Sequence, residues 1–80
     1  MTTAIATIVT RYYPRSQKVR VYWGPDVRRV PGSPDATDVA IKEAMSSMGW
    51  SVTSLEFDYQ GEQGTEVWTA DLALIAGVSR

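Results

Sequence analysis

The sequence predicts an α+β domain: an antiparallel sheet of four to five strands with one helix packed on one face, in the order β-β-(β)-α-β-β. Three observations predict it. Residues 18–23 alternate apolar and polar with period two. Residues 34–48 carry one apolar stripe at spacings of three and four. Runs rich in β-branched and aromatic residues stand on both sides of that helix.

Residues 4–12 are rich in Ile, Val and Thr, which favours a strand over a helix. Tyr13-Pro14-Arg15-Ser16-Gln17 reads as a turn, because Pro14 cannot donate to a ladder. Next, Val19, Val21 and Trp23 point one way, and Lys18, Arg20 and Tyr22 the other. Gly24-Pro25-Asp26 is a turn signal, and Val27–Val30 an optional third strand. Ser33 is the expected N-cap and Pro34 the first residue of a helix running to Met48. Thr37, Ile41, Ala44, Met45 and Met48, with Ala40 beside them, form the apolar stripe. Gly49 is the C-cap candidate.

Residues 50–59 read as a strand in which Leu55, Phe57 and Tyr59 share a face and Glu56 and Asp58 take the other. Trp50 and Val52 have the opposite parity, so a bulge is expected near Ser54. A loop with Gly61 and Gly64 leads to a last strand over 65–76, where Trp68 is expected in the core with Leu72 and Leu74. At least one of Trp23 and Trp50 is expected to be part-exposed. The tail 77–80 is expected to fray.

With 80 residues the chain makes one domain, 1–80. It has no Cys and no His, which removes disulfides, thiol nucleophiles and imidazole acid–base chemistry. No phosphate-loop or metal-ligand pattern is present, so no catalytic residue, no metal and no cofactor is expected. No apolar run approaches the ~20 residues of a membrane span, and the N-terminus lacks signal-peptide features; the expectation is a soluble cytoplasmic protein, monomer or homodimer.

Charge is segregated along the chain. Residues 1–29 carry six cations (Arg11, Arg15, Lys18, Arg20, Arg28, Arg29) against Asp26 alone. Residues 30–80 carry two cations against eight acids, and the stretch from Glu56 to Asp71 holds five acids and no base. Two surfaces follow. Glu56, Asp58, Glu62 and Glu66, with Trp50 as aromatic anchor, make a patch suited to steering onto a basic protein groove. Tyr12, Tyr13, Arg15, Lys18, Arg20 and Tyr22 make an alternative surface, where rings stack bases and cations hold phosphates of a single strand. A third reading is a structural or assembly subunit that pairs edge strands.

The opening Met1-Thr2-Thr3 strand, the meander ending in Gly32-Ser33-Pro34-Asp35, the alanine-containing helix Ala36 to Met48 and the closing hairpin together resemble small phage-encoded inhibitors, in particular type I anti-CRISPR proteins. The likeness spans most of the chain as a pattern of elements and assigns no functional residue. It implies a non-enzymatic inhibitor that docks on a Cas subunit or surveillance complex in the host cytoplasm and blocks nucleic-acid recognition or nuclease recruitment.

Overall fold

A computed structural model describes residues 3–62 and 64–75. Five strands, β1 (Thr3–Tyr13), β2 (Lys18–Trp23), β3 (Asp26–Pro31), β4 (Trp50–Gln60) and β5 (Thr65–Leu74), form one antiparallel sheet, and the helix α1 (Thr37–Ser47) lies between β3 and β4 in the chain. The spatial order is β3-β2-β1-β5-β4. The first and last strands therefore meet in the middle: Thr3 to Arg11 of β1 pair with Ala73 to Thr65 of β5. This strand order was not readable from the sequence.

The optional third strand is a full strand. Trp23 and Asp26 are Cα partners across the two-residue turn Gly24-Pro25, where Gly24 has φ +58°. A positive φ at the first central position is what a tight hairpin of this kind requires, and glycine supplies it without strain.

The helix stripe lies where its spacing places it. Thr37, Ala40, Ile41, Ala44 and Met45 are buried, against Ala6 and Ile8 of β1, Val19 and Val21 of β2, Val30 of β3, and Ala70 and Leu72 of β5. The entry to the helix differs from expectation. Ser33 is extended and makes no capping bond; a 3-10 turn, Pro34–Ala36, precedes the helix proper. The Ser33 carbonyl accepts the Ala36 N–H (3.2 Å), and the Thr37 hydroxyl donates to the Pro34 carbonyl (3.3 Å). Gly32 leads in through a narrow space: a Cβ there would lie 2.9 Å from Val19 Cγ2. At the far end Gly49, with φ +92°, donates to the Ser46 carbonyl at 3.0 Å, which closes the helix as its sequence position suggests.

Strand β4 carries two register shifts, at Thr53 and at Asp58. The first is the expected bulge near Ser54. The second was not expected, and it overturns the shared face of Leu55, Phe57 and Tyr59. Leu55 and Phe57 are opposite Ala70 and Trp68, on the helix side, whereas Tyr59 is opposite Val67 on the other side. Trp68 packs against the core, but Leu74 at the strand end is 47% exposed and lies outside it. Trp23 and Trp50 are both part-buried and meet edge to face, with centroids 5.5 Å apart. The expectations for Ala76 and for the tail 77–80 fall outside the described residues.

Ile41 and Met45 are fully buried and contribute most of what α1 gives the core. Ile41→Ala should cost about 3 kcal/mol out of a total of about 4–12 kcal/mol. Urea denaturation followed by circular dichroism measures this as a fall in midpoint at constant slope.

Candidate functional site

Because α1 covers one face of the sheet, the opposite face is open, and its composition follows from strand register. Directly paired residues share a face. On β1 the buried Ala6, Ile8 and Thr10 face the helix, so Thr3, Ile5, Thr7, Val9, Arg11 and Tyr13 face outward; Ile5 is 80% exposed. Reading across from each outward residue gives successive rows.

Tyr13 is paired with Lys18, and Lys18 with Pro31. In the next row Arg11 is opposite Arg20, and Arg20 is opposite Arg29. Three arginines thus stand side by side on three adjacent strands. Then Val27, Tyr22, Val9, Val67 and Tyr59 span all five strands. Beyond them Thr7, Thr69 and Glu56 align, followed by Ile5, Asp71 and Ser54. Asp58, in the second bulge of β4, accepts a hydrogen bond from the Thr69 hydroxyl at 2.9 Å and so joins the open face.

The face is therefore divided diagonally. Arg11, Lys18, Arg20 and Arg29 gather at one end of β1, β2 and β3, while Glu56, Asp58 and Asp71 gather toward the other end of β5 and β4. Like charges directly opposite one another on adjacent strands destabilise a sheet. Tyr13 relieves part of that cost: the Arg11 and Arg20 guanidinium carbons lie 5.2 and 5.0 Å from its ring centroid. Tyr22 takes part as well. A hydrogen bond from Arg20 holds the Tyr22 phenol below its ordinary pKa against the opposing effect of burial; a bond with Tyr13 and the charges of Arg20 and Arg11 act in the same direction. Arg20 is correspondingly raised, chiefly by its bond to Tyr22.

The residues expected to form a site are thus redistributed. Tyr13, Lys18, Arg20 and Tyr22 share the open face, but Tyr12 is opposite Val19 and packs against the core on the helix side. Arg15 is exposed in the β1–β2 turn. Of the acidic patch, Glu56 and Asp58 are on the open face. Glu62 sits in the β4–β5 turn, where its carbonyl accepts the Thr65 N–H and hydroxyl. Glu66 is opposite Thr10, and Trp50 opposite Leu74, both on the helix side. The four acids and Trp50 therefore do not form one surface. Arg29 and Asp71 join the site without having been singled out, and Arg11 joins it from the cations that interleave with the tyrosines. The two-residue turn Gly24-Pro25 holds the signal for Arg29, because counting back from Trp23 and forward from Asp26 places it opposite Arg20.

A concavity of about 260 Å³ lies beside the helix entry and is lined by Thr10, Tyr12, Pro34, Thr37 and Glu66 among others. Glu66 Oε1 and Trp68 Nε1 are buried on this side and have no hydrogen-bond partner among the described residues. Among the described residues, no group of three or more His, Cys, Asp or Glu side chains is placed to hold a metal ion. No helix among them is long and apolar enough to cross a membrane. Compared with protein-family models, curated proteins and solved structures, the chain matches none.

Two outcomes test this description. Tyrosinate absorbance should show a component ionising below the ordinary phenol pKa, and Arg20→Gln should remove that component. The sign follows from the depressed value: ionised Tyr22 stabilises the fold above the ordinary phenol pKa, and this stabilisation is lost as pH falls through the lowered one. Arg29→Glu places an acid beside Arg20 and should raise stability by about 0.5 kcal/mol at low salt, read as a higher denaturation midpoint.

Proposed function

We propose that the protein is a non-enzymatic binding module that inhibits by occupying a protein surface, with the open sheet face as its contact surface. The observation that carries this reading is the two-signed face, with the arginine row Arg11–Arg20–Arg29 at one end and Glu56, Asp58 and Asp71 at the other. A protein surface can answer both signs at once, and complementary charge steers such partners together. A phosphate backbone has one sign, and the acids on the same face would repel it. Under the anti-CRISPR resemblance, the protein engaged is a Cas subunit or surveillance complex, and the acidic end enters a groove built for nucleic acid.

A second reading is supported by a different feature of the same face. Tyr13 and Tyr22 lie among Arg11, Lys18, Arg20 and Arg29, the residue types that stack bases and hold phosphates of a single strand.

One pair of measurements separates the two. In a bacterium whose type I CRISPR–Cas system blocks a phage, expression of the protein should restore plaquing, and Glu56→Gln with Asp58→Asn and Asp71→Asn should weaken that restoration. Titration with short single-stranded oligonucleotides should give weak binding. Failure to restore plaquing, combined with tight oligonucleotide binding that weakens steeply with salt, would move the assignment to the second reading.

A further inference from the structure

We infer that the open sheet face is self-complementary, so that a second copy of this chain docks on it face to face and each basic end covers the other's acidic end. This rests on reading the open face as the contact surface, and it adds a partner of known chemistry.

The placement of charge makes the case. The basic cluster lies at the level of Arg11 and Tyr13 on β1 and extends across β2 and β3. The acidic cluster lies at the levels of Ile5 and Thr7 and extends the opposite way, across β5 and β4. The two are therefore offset both along the strands and across them. A half-turn about an axis parallel to the sheet and just outside its open face, passing between the clusters and diagonal to the strands, exchanges them. Two copies related by that axis set arginines on carboxylates twice, with no like-charged clusters in contact. A closed pair of this kind is the isologous arrangement most soluble oligomers adopt.

What lies between the clusters suits an interface centre. Val9 and Val67 are directly paired there, flanked by Thr7 and Thr69, and none of the four carries charge. Tyr59, 61% exposed, extends the same row as an aromatic contact. A charge-depleted middle inside a charged rim is the usual anatomy of a protein interface. Within one copy, Arg20 has arginines rather than acids as its cross-strand partners on both sides. The docked copy sets carboxylates over that row.

Sedimentation equilibrium on the full chain provides the test, with circular dichroism confirming that each variant is folded. At about 50 mM salt the wild type should show a dimer mass at high protein concentration, and raising salt to about 500 mM should weaken the dimer at least about tenfold. Arg11→Glu with Arg20→Glu and Arg29→Glu should be monomeric, and so should Glu56→Arg with Asp71→Arg. An equimolar mixture of these two variants should recover the dimer, because one copy is then acidic at both ends and the other basic at both. A wild type that stays monomeric at low salt overturns the inference, as does a dimer indifferent to salt and to both charge reversals. A monomeric protein that still restores plaquing would refute self-association alone and leave the proposed function standing.

Discussion

One helix can dry one face of a sheet, and that limit shapes everything else in this molecule. The single apolar stripe of α1, with Ile41 and Met45 at its centre, covers a core drawn from four of the five strands. Among the described residues, no second helix covers the other side. Outward positions on β1, β2 and β5 therefore contribute little to burial, and their side chains are free to serve another purpose. The result is a dry layer that supplies stability and a wet layer that supplies chemistry, back to back in the same strands.

The wet layer costs stability. Three arginines in cross-strand register repel one another, and a sequence selected for stability alone would alternate their sign. Tyr13 lies over two of the cations and Tyr22 hydrogen-bonds one of them, so aromatic rings help hold the cluster together. Positions that oppose folding in this way are where function is expected to override local preference. The orphan pair on the helix side, Glu66 Oε1 and Trp68 Nε1, is a smaller instance of the same tension.

Much of the fold was legible in the residues. The alternation of Lys18 to Trp23, the stripe from Thr37 to Met45 and the opposite parities of Trp50 and Leu55 each carry their own geometry. Strand order did not, because pairing of β1 with β5 joins residues more than fifty positions apart and depends on no local pattern. The second bulge at Asp58 was equally hidden: Leu55, Phe57 and Tyr59 alternate without a break in the sequence, and only pairing with β5 reveals the slip. The site was half legible for the same reason. Tyr13, Lys18, Arg20 and Tyr22 were visible as outward positions. Glu66 and Trp50 looked like neighbours of Glu56 because they are close in the chain, yet the pleat and the bulges send them to the opposite side.

Those two bulges in β4 have a further effect. This strand is a long outer edge of the sheet, with eleven residues of backbone available to a passing chain. An uninterrupted edge of that length invites stacking into open-ended fibrils. The slips at Thr53 and Asp58 break its rhythm of donors and acceptors and add local twist, so an incoming strand cannot follow it end to end. The opposite edge is short and carries Arg28, Arg29 and Pro31. Both borders thus discourage runaway polymerisation, and the protein can keep a sticky face while remaining a discrete particle.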